Sequence, residues 1–384
     1  MKKKFLIILT YLLILFNSNL LSDEGKKILK IGLLAPLSGE YKELGNSFLY
    51  SLQLALEELN DNDVIIIPRD SGFNDKDKLN KAIQDLRDQD IKIIIGPISY
   101  EELDNVKKYN DLIFISPSNI NPKFSNNVIS VGISLESQLF SIVDFLKKEK
   151  KNKTVIMYPN NQYKNLIEEK LKNSTLRNFK RFIYSPNPEV LTGEIEILTN
   201  YSQRKKNLEL RKKMFQDKED EQSIRELERL DQLYTLGGVN FDSVIIIDFG
   251  NNLKSVLTSL IYTDVSQTNV LFTTVNQWFD ESIFFENTIK TLYYPSINYK
   301  EFKKYNQLYF NKFRSYPNEI TILTYDALGL IYYAWKKNGS INSINNFSFK
   351  NKIKGKIGTF YFNNKKVIQD LNIYKTEDKK FTKF

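Results

Sequence analysis

The chain has 384 residues, with 55 Lys and Arg against 46 Asp and Glu, and contains neither Cys nor His. That composition excludes disulfides, zinc sites built on Cys or His, thiol nucleophiles and Ser-His-Asp triads. The net charge of +9 is spread along the chain; with no basic-aromatic recognition motif it reads as solvated charge and not as a nucleic-acid footprint.

The N-terminus reads as a secretory signal over residues 1–22. Lys2, Lys3 and Lys4 form a positive head, Phe5–Phe16 a short apolar run, and Asn17–Ser22 a polar lead into Asp23 and Glu24. The apolar run falls short of the roughly 20 residues a membrane span needs. The expectation is an exported, periplasmic protein. No Cys follows the apolar run, so a lipoprotein anchor is excluded and membrane contact is expected only through a partner. The remaining chain is long enough for two domains of ordinary size.

Strands and helices then alternate. Ile28–Leu34 is a buried strand that runs into a turn at Pro36, Ser38 and Gly39, followed by a helix over Leu44–Leu59. Asp63–Pro68 is a continuous apolar strand, as expected when helices cover both faces. Asp75–Asp88 is an amphipathic helix with Leu79, Ile83 and Leu86 in step. Strands follow at Ile91–Ile95, Leu112–Ile115 and Val128–Val131, with a helix at Glu101–Tyr109. The order predicts a parallel sheet with helices on both sides. The pattern restarts with a helix at Gln138–Lys148, a strand at Lys153–Tyr158 and a helix at Tyr163–Asn173. It continues with a strand at Asp242–Asp248, a helix at Leu253–Leu260 and a strand at Val270–Thr274. Near residue 275 the chain is expected to return to the first lobe, with helices at Lys300–Tyr316 and Thr321–Trp335. The C-terminus reads as β structure around Lys354–Phe362 and Leu371–Lys375.

One segment interrupts this rhythm. Residues 194–238 separate two strands of the second lobe, and their core, Ser202–Gln232, is dense in both signs of charge. Leu208, Met214, Ile224, Leu227 and Leu230 punctuate it, and Gly237-Gly238 ends it. It reads either as a solvated helix packing one apolar stripe on the lobe or as a partner-binding arm.

The opening strand-loop-helix, Tyr325-Asp326-Ala327, and the Gly355–Phe362 hairpin together resemble the type I periplasmic solute-binding proteins, the leucine/isoleucine/valine-receptor class. The resemblance implies an α/β fold of two doubly wound parallel-sheet lobes joined by a three-stranded hinge. Lobe 1 is expected over 23–135 plus 275–335, and lobe 2 over 136–274 plus 336–384 with the 194–238 insertion. The implied crossings lie near Ser134–Ser137, Thr274 and Lys336–Asn346. A narrower resemblance, to the penicillin-binding protein activator branch, rests on three segments. These are Leu236–Val244 after the charged helix, Leu253–Leu257, and the Trp278 segment after Thr273-Thr274.

The narrower resemblance implies a non-enzymatic partner of a peptidoglycan synthase. The broader one implies an ABC-transporter receptor that carries an amino acid or similar small polar solute to a permease. For a receptor, small hydroxyls at strand ends would hold a carboxylate, an acid would take the ammonium and an aromatic ring would cover the ligand, because a buried zwitterion needs both charges paired. The matching ligand-binding candidates are Ser38, Ser99, Ser118 and Asn119 in lobe 1, with Tyr158 and Asp248 in lobe 2. Each also has an ordinary reading as turn, cap or rim chemistry. Arg69 is the one Arg in these loops, and Trp278 lies either at the ligand's edge or in packing. Asp70, Asp248 and Asp326 could in principle do acid-base work, but no paired-carboxylate motif or metal set accompanies them. No catalytic residue, metal or cofactor is expected.

Overall fold

The computed structural model describes residues 27–119, 126–172, 179–285, 289–363 and 366–384. The expected signal sequence lies outside the described residues. The chain divides into two compact units: residues up to Val131 with Tyr309–Ser348, and Gly132–Leu308 with Phe349–Phe384.

The first unit is built on a five-stranded parallel sheet in the order β2-β1-β3-β4-β5. The strands are β1 (Leu29–Ala35), β2 (Val64–Asp70), β3 (Ile93–Ile95), β4 (Ile113–Ser116) and β5 (Val128–Ser130). Helices α1 (Lys42–Leu59), α2 (Lys76–Asp88) and α3 (Tyr100–Val106) connect them. α2 starts where Asp75 accepts hydrogen bonds from the Asp77 and Lys78 N–H groups, an N-cap that the sequence advertises. Its Leu79, Ile83 and Leu86 pack with Leu34, Ile94 and Phe114 in the core. α1 crosses close over the β1 loop: a Cβ at Gly45 would lie 2.0 Å from the Pro36 carbonyl oxygen. Only a glycine allows that approach.

The second unit holds a seven-stranded sheet in the order β15-β14-β10-β9-β8-β6-β7. Its parallel part comprises β6 (Thr154–Pro159), β7 (Lys180–Tyr184), β8 (Ser243–Ile246), β9 (Leu271–Thr274) and β10 (Leu292–Ser296). Strands β14 (Asn372–Glu377) and β15 (Lys380–Lys383) add an antiparallel margin. Strands β11 (Ile353–Lys354), β12 (Thr359–Asn363) and β13 (Lys366–Asp370) form a separate three-stranded antiparallel sheet. Alternation along the strands sorts the core into two layers. Val155, Met157, Val244 and Ile246 pack on helices α6 (Pro188–Thr199) and α9 (Gly250–Tyr262). Ile156, Tyr158, Ile245 and Ile247 pack on α4 (Leu135–Lys148) and α5 (Lys164–Lys172).

The structure differs from two expected boundaries: residues 336–348, expected in lobe 2, belong to the first unit, and the return to that unit comes later than expected. The chain does not return to the first unit near Thr274; β10 joins the second sheet, and the change of unit falls after Leu308, inside helix α10 (Tyr299–Phe313). Pro295 hides this strand in the sequence, because a proline inside a strand argues for an edge. Here the pairing of β10 with β9 is confined to Tyr293 opposite Thr273, so the missing N–H is tolerated. The other changes of unit fall after Val131 and after Ser348.

The charged insertion is a helical hairpin, α7 (Tyr201–Gln216) and α8 (Glu221–Asp231), following α6. A last helix, α11 (Leu323–Asn338), carries Tyr325-Asp326-Ala327 in its first turn with Asp326 buried.

Candidate functional site

Ligands of open parallel sheets bind at the carboxyl ends of the strands, and all six candidates lie at or just after such ends. In the first unit, however, the side-chain hydroxyls of Ser38 and Ser99 are spent on local structure. The Ser38 hydroxyl donates to Asp70 Oδ2 at 2.5 Å. The Leu37 and Gly72 N–H groups donate to Asp70 Oδ1 at 2.8 and 3.0 Å. Lys78 Nζ donates to Ser38 Oγ at 3.1 Å and lies 3.9 Å from Asp70. Burial alone would raise the Asp70 pKa, but these donors and the Lys78 charge outweigh it and hold the carboxyl below its ordinary value. Asp70 therefore clamps the β1 and β2 loops together, with Ser38 as a member of the clamp.

Ser99 is the N-cap of α3. It accepts the Glu102 N–H at 3.1 Å, and the Glu102 carboxylate turns back to the Ser99 N–H in a capping box. The Ser99 hydroxyl also donates to the Asn74 side-chain oxygen. Glu102 is buried, and that burial raises its pKa. Ser118 is buried; its N–H donates to Ser116 Oγ at 3.1 Å and its carbonyl accepts from Ser130 Oγ at 2.5 Å. Asn119 is exposed. Arg69 is held locally, donating to the Pro68 carbonyl at 2.8 Å and lying 3.9 Å from Asp85.

The second unit departs further from a receptor's needs. Tyr158 is fully buried among Leu139, Ile142, Ile167 and Leu171, with its hydroxyl 3.4 Å from Glu168. It is a core residue and not a rim aromatic. Asp248 follows β8 and is also buried. Its Oδ2 accepts the Tyr184 O–H at 2.6 Å, its Oδ1 accepts the Phe249 N–H at 2.8 Å, and the Asn252 side chain supports it. Burial raises the Asp248 pKa despite these bonds. Burial, followed by the Asp248 charge, also raises the Tyr184 hydroxyl.

A polar row escaped the sequence reading. Gln277 Nε2 donates to the Asp248 carbonyl at 3.0 Å. Asn276 receives the Trp278 N–H at 3.0 Å and the Ser296 hydroxyl at 2.8 Å on one oxygen, while its own N–H donates to Gln138 at 2.8 Å. The row braces a turn in which Trp278 and Phe279 both have positive φ, 51° and 60°, a conformation that side chains other than glycine adopt only when the surroundings impose it. The signal available in the sequence was the Asn276-Gln277 pair directly after a Thr-rich strand end.

The hairpin is anchored through one cation. The Arg204 guanidinium donates to the carbonyls of Gly237, Thr263 and Asp264 at 2.9, 2.9 and 2.8 Å and to Thr235 Oγ1 at 2.8 Å. Burial lowers its pKa, against the pull of nearby Asp264. Leu208 of α7 and Leu230 of α8 are buried, and Lys212–Asp231 at 2.8 Å and Arg211–Glu226 at 4.0 Å tie the two helices together. Leu210, Met214 and Ile224 remain exposed. Among the described residues, no group of three or more Asp and Glu is placed to hold a metal, and no helix is long and apolar enough to cross a membrane.

Residues 28–176 match the model of the family described as periplasmic binding protein. A comparison with curated proteins by sequence finds no match. Among solved structures, the chain is similar to a putative branched-chain amino acid ABC transporter protein of Rhodospirillum rubrum. The identity is 12%, the TM-score 0.68, and the match covers 93% of this chain and 100% of that one. The leucine-binding protein LivK of Thermotoga maritima aligns at 13% identity and TM-score 0.57, over 93% of this chain and 98% of that one. Full-length LpoA of Haemophilus influenzae aligns at 13% identity and TM-score 0.62, over 94% of this chain and 59% of LpoA. These neighbours are binding proteins and regulators. The chain has the type I periplasmic binding protein fold along nearly its whole length.

Proposed function

We propose that this chain is a non-enzymatic, exported protein that regulates a peptidoglycan synthase and does not deliver a solute. The observation that carries this reading is the state of the candidate ligand groups. Ser38, Ser99 and Asp248 spend their polar atoms on clamp, cap and core bonds, and Tyr158 lies wholly in the core. A zwitterion would have to break those bonds to be recognised, leaving buried groups unpaired. The helical hairpin, rigidly footed through Arg204 with apolar side chains left exposed, supplies the contact surface a regulator needs. LpoA of similar fold is a regulator of PBP1A by its own description. Replacing Ser202–Gln232 with a short Gly/Ser connection should abolish binding to, and stimulation of, the purified class A synthase of the same organism. Undiminished stimulation by that variant overturns the reading.

The receptor reading keeps one support, the fit to amino-acid transporter proteins over whole chains. A ligand held at one hundred times its Kd would stabilise the protein by about 2.7 kcal/mol through mass action. An amino acid that raises the Tm accordingly would favour delivery of a solute.

A further inference from the structure

We infer that the second unit carries a separate binding hollow for a short apolar peptide with both termini free, at the end of its sheet remote from Asp248. The hollow has a volume of about 460 Å³. That is within the usual range for small-molecule sites and larger than one amino acid requires. It lies beside the start of β10: Thr291 and Thr376 border it, and Thr376 bonds the Leu292 N–H at 3.1 Å. β10 ends at Ser296, which is bonded to Asn276 in the polar row beyond β9. The two ends of a five-residue strand lie roughly 13 Å apart, so the hollow is distinct from the strand-end loops.

Its lining sorts into an apolar wall and a charged rim. Ile283, Phe284 and Ile289 form the wall. Ile283 is 4% exposed, and Phe284 is backed by the Phe381 ring at 4.6 Å. Lys290 and Lys379 bring two ammonium groups that form no ion pair among the described residues, and Asp378 and Glu377 bring two carboxylates. Glu377 is already paired with Lys375 at 2.7 Å, which leaves Asp378 as the acceptor for an incoming cation. The rim is held in place by backbone geometry: Asp378 and Lys379 form the β14–β15 turn with φ of 49° and 57°, the left-handed pair of a tight hairpin.

An anion alone would meet Asp378, and a cation alone would meet Lys290 and Lys379. A peptide with free termini offers its carboxylate to the lysines and its ammonium to Asp378, and lays its side chains on Ile283 and Phe284. The charge pattern selects that class over a fatty acid or a polyamine.

The probe is Leu-Leu dipeptide, titrated calorimetrically into the full chain. Saturable one-to-one binding is expected, weakened about tenfold or more by Lys290→Glu with Lys379→Glu, and also by Asp378→Asn, each tenfold being about 1.4 kcal/mol. Lys350→Glu, an exposed charge of the same unit, should leave it unchanged. N-acetyl-leucine amide, which lacks both charges, should not compete. Absence of binding at about 10 mM dipeptide overturns the inference. So does binding that survives the double lysine variant, or hexanoate binding as tightly as the dipeptide. None of these outcomes depends on whether a synthase is bound elsewhere.

Discussion

At the residue scale, the charges at the strand-end loops of the first unit pin those loops together. Asp61 is another anchored charge of that unit. It accepts from the Lys336 ammonium at 2.9 Å, the Tyr332 hydroxyl at 2.8 Å and the Asp63 N–H at 3.0 Å. The Lys336 contact leads these effects, and together they pull its pKa down to about 2. A folded pKa below the unfolded one means a contribution present above the ordinary carboxylate range and lost as pH falls through about 2. An NMR titration should therefore find the Asp61 midpoint near that value, and Lys336→Met should return it toward about 3.9. Tyr158 makes the opposite case, a polar residue used for its bulk. Tyr158→Ala should cost about 3–5 kcal/mol on denaturant unfolding. Tyr158→Phe should cost about 1 kcal/mol, since its hydrogen bond to Glu168 is long, at 3.4 Å. Its position at the end of an apolar strand was legible in the sequence; its burial was not. Burial follows from strand alternation combined with the packing of α4 and α5 on that face, and no local pattern states which helices will cover which face.

At the element scale, two close fits hold the architecture. α1 sits where only Gly45 permits it, so Gly45→Ala should destabilise the first unit by about 1–3 kcal/mol or force α1 to shift. The α7–α8 hairpin depends on Arg204. Removing that side chain leaves the carbonyls of Gly237, Thr263 and Asp264 without their donor inside the protein. Arg204→Met should cost about 3 kcal/mol and increase amide exchange through 201–231. Arg204→Lys should recover only part of this, because an ammonium cannot reproduce the planar fork. The presence of a helical insertion was readable from its charge pattern and the Gly-Gly stop. That it is two antiparallel helices, with an arginine as the buried foot, was not. Lys and Arg look alike in a charge run, and the partners of Arg204 lie 31 to 60 residues away in sequence.

At the scale of the whole molecule, two buried carboxylates predict how stability varies with pH. Glu102 and Asp248 both have pKa values raised by burial. A raised folded value means that the native state holds protons which the unfolded state has released. Unfolding free energy should therefore fall as pH rises from the ordinary carboxylate range through the raised values. Glu102→Gln with Asp248→Asn should flatten that dependence in chemical denaturation above the ordinary carboxylate range; an unchanged slope would contradict it. The sequence by itself determined the class of architecture: apolar runs alternating with amphipathic helices admit little besides parallel sheets covered on both faces. It also determined the chemistry that is absent, since a chain without Cys or His cannot use either. Only the tertiary structure decided which unit β10 joins, which serines serve as caps and clamps, and that Asp248 answers to Tyr184. Those outcomes depend on pairings between residues tens of positions apart. Period and composition describe one element at a time, whereas hydrogen bonds and burial are satisfied only when elements meet.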